Sequence, residues 1–126
     1  QQSVCLPANR STPLGFIRRP AGFDSRTGLP FAFLNDRRGN LVSRSRLFEV
    51  RYHEFAWKKP SIAMERQDGR LRFCSDVLAV GLCVDLNGES PLEDNFFDLY
   101  PGQPYHIAWD DAAPLPRLRC LNNYLV

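Results

Sequence analysis

Apolar and polar residues alternate in short runs along this chain, and Gly, Pro, Asn and Asp interrupt them at close intervals. That period of two is the pattern of strands with one face turned to a core. Ile62 and Met64, then Leu71 and Phe73, alternate with polar neighbours on either side of Gln67-Asp68-Gly69-Arg70. Asp-Gly at such a tip predicts a tight hairpin, because both central residues take positive φ. A second hairpin is predicted from Phe31–Leu34 and Leu41–Val50, which flank a loop with Gly39 placed for the turn. Val80, Leu82, Val84 and Leu86 alternate with Ala79, Gly81, Cys83 and Asp85, which predicts a strand with one core face and one small or polar face. Tyr105, Ile107 and Trp109 repeat the alternation, Leu118 and Leu121 less regularly, and helical periodicity is hard to find.

Between the predicted strands, Tyr52–Pro60 is too long for a hairpin and carries Phe55 and Trp57, so it is expected to cross between sheets with its aromatics as pins. Pro7, Pro13, Pro20, Gly15 and Gly22 make residues 1–27 an expected irregular arm, with one strand at Leu14–Arg18. The expected fold is all-β, an immunoglobulin-like antiparallel β-sandwich over residues 28–126.

The densest local information lies in Leu92-Glu93-Asp94-Asn95-Phe96-Phe97-Asp98-Leu99-Tyr100-Pro101-Gly102-Gln103. Asp94 and Asn95 are turn formers, because their short side chains bond the backbone two positions on. Phe96, Phe97, Leu99 and Tyr100 supply strand-type bulk, and Pro101-Gly102 fits the centre of a type II turn. The segment reads as a strand held between two corners.

It also closely resembles the Asp-Asn-Phe-Phe-Asp-Leu-x-Pro-Gly motif near the C-terminus of family 2 glycoside hydrolases of the β-mannosidase type. Leu47-Phe48-Glu49-Val50, the connector ending Trp57-Lys58-Lys59-Pro60, the run Leu71–Ala79 and the terminal Cys120-Leu121-Asn122-Asn123-Tyr124 are similar to further segments of that domain, in order along the chain. The resemblance covers about Gly28 to Leu125. Glu93, Gln103 and Asn123 depart from it, where a small hydroxyl residue, Glu and Asp are usual. It implies a non-catalytic, immunoglobulin-like C-terminal domain, whose partner is the catalytic barrel of a parent enzyme acting on terminal β-mannosyl or related β-glycosidic bonds. Asp94, Asn95, Phe96, Phe97, Asp98, Leu99, Pro101 and Gly102 are then a structural signature. No catalytic residue is assigned to this chain, since the glutamates of such enzymes belong to the barrel and 126 residues cannot hold both. The rival expectation is a stand-alone carbohydrate-binding or adhesive module on the same sandwich.

Composition changes this picture little. With 44% hydrophobic and 24% charged residues the chain is of ordinary globular composition, and no apolar run approaches a membrane span. Net charge is +2, and although Arg dominates the basic residues, no nucleic-acid module accompanies them, so neither nucleic acid nor membrane is an expected partner. A chain starting at Gln1 with no signal-like segment is expected to be a processed product or part of something longer, and compartment is left open. Cys5, Cys74, Cys83 and Cys120 lack Cys-x-x-Cys spacing and His53 and His106 are badly placed for zinc, so no metal or other cofactor is expected; the disulfide state is open. Glu89, Glu93, Asp94 and Asp98 lack calcium-loop spacing. The remaining candidates are flat rings able to stack on a sugar, Trp57, Trp109, Tyr52 and Tyr105, with Phe55 beside Trp57 as a candidate domain contact. The favoured reading is structural: alternation with Ile107 places Trp109 in the core, and Trp57 seals the crossover or packs on a neighbouring domain.

Overall fold

The computed structural model describes residues 3–5 and 7–126; of the expected arm, residues 1, 2 and 6 lie outside the described ones. The chain divides into two units, Gln1–Glu49 and Val50–Val126. Among the described residues all pairing is antiparallel, and regular helix is confined to a 3₁₀ turn at Tyr52–Glu54 and a single α turn, α1, at Asn122–Leu125. The all-β reading holds.

In the first unit β1 (Phe31–Asn35) pairs with β2 (Leu41–Arg46). Asp36 organises the connection. Its Oδ1 accepts the N–H groups of Arg38 and Asn40, each at 2.8 Å, while Gly39 takes a φ of +87°. The Asn40 side-chain amide donates to the other carboxylate oxygen at 2.8 Å and, with the backbone bonds, holds the Asp36 carboxyl below the usual range. β2 stops at Arg46, short of the expected Val50, and no strand forms at Leu14–Arg18. No described residue of this unit is fully buried, as expected where two strands alone cannot enclose a core.

The second unit contains a three-stranded sheet, ordered β3 (Ile62–Gln67), β4 (Arg70–Ser75), β7 (Tyr105–Ala108), and a pair of β5 (Ala79–Leu82) with β6 (Phe97–Leu99). Asp68 at φ +51° and Gly69 at φ +71° make the predicted turn between β3 and β4. β4 is central because Leu71 and Phe73 alternate inward, each at 0% exposure, and it is paired on both edges. The other sheet faces it with Ala79, Leu82, Phe97 and Leu99, and Phe73 and Phe97 meet with ring centroids 5.4 Å apart.

Two strand expectations are corrected. The run from Ala79 ends at Leu82 rather than Leu86, and both its faces are buried, Ala79 and Cys83 as well as Val80 and Leu82. Gly81 causes this, since its φ of +59° inserts an extra residue between the pairs Ala79–Leu99 and Leu82–Phe97 and re-aims the side chains beyond it. Phe96 lies outside β6, at φ +61° and 59% exposed, so the buried bulk comes from Phe97 and Leu99 in the strand and Tyr100 just after it.

Candidate functional site

Tyr52, Phe55 and Trp57 are brought together. The 3₁₀ turn sets Tyr52 ahead of Trp57, and Glu54 fastens that turn by accepting the Arg51 N–H at 3.0 Å. Trp57 Nε1 donates to the Tyr52 carbonyl at 2.7 Å. Its ring centroid lies 4.7 Å from that of Tyr52 and 4.9 Å from that of Phe55. Trp57 is thus half-buried between two rings, and Tyr52 is the more exposed. A three-ring corner of this kind offers an apolar face with a phenol at its edge, suited to the C–H face of a sugar or to a neighbouring protein.

Trp109 is not part of that corner. It follows β7, its N–H bonds the Gly69 carbonyl at 2.9 Å, and its ring packs on the core beside β4. Its Nε1 is buried without a hydrogen-bond partner.

The acids of the 92–103 segment are spent on holding the fold. Asp98, inside β6, accepts the Gly81 N–H at 2.9 Å and so closes the bulge in β5. Asn95 accepts the Val84 N–H at 2.9 Å and donates to the Asp85 carbonyl at 2.7 Å, tying the corner to the end of β5. Asp94 accepts the Tyr105 hydroxyl at 2.7 Å. Glu93 accepts the Ala108 N–H at 3.0 Å and faces Arg70 at 3.5 Å. Pro101-Gly102 makes the expected turn, closed by Gln103 N–H to the Tyr100 carbonyl at 3.1 Å with Gly102 at φ +72°. Asp110 likewise receives the Ala112 N–H. Carboxylates engaged in this way fix turns and strand ends.

Two polar residues that carry much of this unit did not stand out in the sequence. Asp85 collects the N–H groups of Asn87, Gly88 and Ser90, which lowers its carboxyl from the usual value. The Asp-x-Asn-Gly spacing is a legible turn signal for it. Asn122, fully buried, accepts from Val80 and donates to the carbonyls of Lys58 and Leu78. No local pattern marks that role.

No group of three His, Cys, Asp or Glu side chains that could hold a metal occurs among the described residues. All four cysteines are free thiols, and burial pushes the Cys83 thiol up from its ordinary value. No protein-family model matches the chain, and no curated protein sequence matches it.

Proposed function

We propose that the chain is a non-catalytic, immunoglobulin-like accessory region from the C-terminal part of a β-mannosidase-like glycoside hydrolase, supporting the catalytic barrel of that enzyme. One observation carries the reading. The motif that motivates the resemblance works here as a clamp, with Asp94, Asn95 and Asp98 each committed to a hydrogen bond that ties the corner and β6 to β5 or β7. Its acids act on backbone and hydroxyl groups, which is the behaviour of a fold signature and leaves hydrolysis to residues elsewhere. The meeting of the two sheets at Phe73 and Phe97 supports the sandwich part of the proposal.

The test compares this chain with the full natural reading frame that encodes it. The isolated chain is expected to leave a nitrophenyl β-mannoside intact, and the product of the longer frame to cleave it. A frame that encodes no barrel upstream, or turnover by the isolated chain itself, would reject the proposal.

The Tyr52–Phe55–Trp57 corner favours a second reading, a carbohydrate-binding module. Titration with mannobiose separates the two. Saturable quenching of tryptophan emission that is lost in Tyr52→Ala supports the module; a flat response leaves the corner as a contact for protein.

A further inference from the structure

Phe96 is held in a conformation that a bulky side chain avoids. Its φ is +61°, a region left to Gly and Asn in most proteins, and its ring is 59% exposed, so little packing offsets the strain. Asn95 keeps it there: the Oδ1 atom that receives the Val84 N–H also lies 3.1 Å from the Phe96 nitrogen. Gly or Asn would satisfy the corner better. An aromatic ring displayed at a conformational cost points to a role outside its own unit.

The charge along the flanking sequence is one-sided, with Arg70 reaching Glu93 from β4. Between Arg72 and Arg117 the chain has eight acidic residues and no Lys or Arg. The first unit is the reverse, with eight arginines against three acids over residues 1–49. That unit also contains an open groove of 490 Å³, lined by Ile17, Phe23, Phe31, Ala32 and Leu47, with Arg19 and Arg46 at its margin. The volume admits an aromatic side chain. Arg19 is engaged by Glu49 at that margin.

We propose that Phe96 of one copy of this chain inserts into the apolar groove of the first unit of a second copy, with the acidic stretch around Phe96 meeting the arginine-rich hairpin unit. The inference stands on charge complementarity, a strained exposed ring and a groove of matching character, and is independent of the glycoside hydrolase reading.

Sedimentation of the intact chain over a wide concentration range tests it, with melting temperature measured in parallel. The native chain is expected to self-associate, less so at high salt. Phe96→Gly is expected to weaken association about tenfold while melting a few degrees higher, since the strain goes and no core contact is lost. Phe96→Asn controls for added flexibility and should behave alike. Ala32→Trp, which fills the groove from an exposed position, should weaken association likewise. An equimolar mixture of Phe96→Gly and Ala32→Trp should regain a one-to-one complex, because the first retains the groove and the second the ring. A strict monomer at high concentration, association unaffected by either change, a failed mixture, or a fall in melting temperature in both Phe96 variants would each overturn the proposal.

Discussion

Asn122 Oδ1 accepts the Val80 N–H at 2.8 Å, joining the last turn of the chain to the start of β5. The same amide donates to the Lys58 and Leu78 carbonyls, each at 2.9 Å, so one buried side chain ties together three segments far apart in sequence. With both amide donors and the carbonyl oxygen engaged, the residue acts as a polar pin in a mostly apolar core.

Removing that pin leaves a buried N–H and two carbonyls unpaired. Asn122→Ala is expected to destabilise the second unit by about 3 kcal/mol, since each orphaned group costs about 1–3 kcal/mol and part is recovered by water. Asn122→Asp should be at least as damaging, because it loses both donors and buries a charge. Urea denaturation followed by tryptophan emission checks both; an unchanged midpoint would remove Asn122 from the core network.

Gly69→Val tests the β3–β4 turn. Nothing lies within 4 Å of a Cβ built at Gly69, so the cost is conformational alone, arising from φ +71°. A loss of about 1 kcal/mol or more is expected. Equal stability would mean that the turn has another geometry.

His106 gives the second unit a pH dependence. Partial burial, followed by the Arg70 and Arg72 guanidinium groups on β4, lowers its pKa from 6.5. The unfolded chain therefore binds this proton more readily than the folded one. The contribution is fully present above pH ~6.5 and is lost as pH falls through that value toward the folded pKa. His106→Gln should flatten the change in melting temperature between neutral pH and pH ~5. An identical profile in the variant would assign the dependence to other groups.

The four thiols should differ in reactivity. Cys5 is exposed, whereas Cys83 and Cys120 are buried, and burial raises the Cys83 pKa and depletes its thiolate. Native-state alkylation followed by peptide mapping is expected to label Cys5 first and Cys83 only after denaturant is added. Early labelling of Cys83 would show that the β5 end opens readily.

The two hairpins were legible in the chain itself. Asp68-Gly69 between alternating runs, and Asp36 with Gly39 and Asn40 in the other loop, are local chemistry: φ preferences and side chains that bond their own backbone within five residues. The turn at Pro101-Gly102 and the inward set Leu71, Phe73 and Ile107 follow from equally short-range rules. Tertiary structure alone decided the rest. Alternation could not show that Gly81 would bulge, because the bulge is closed by Asp98, seventeen residues on. Nor could it show that Phe96 would turn outward beside an inward Phe97, since that depends on Asn95 capturing the end of β5. Asn122 is the extreme case. Its partners at positions 58, 78 and 80 are separated from it by more than forty residues, and a buried amide has no pattern until the chain has closed around it.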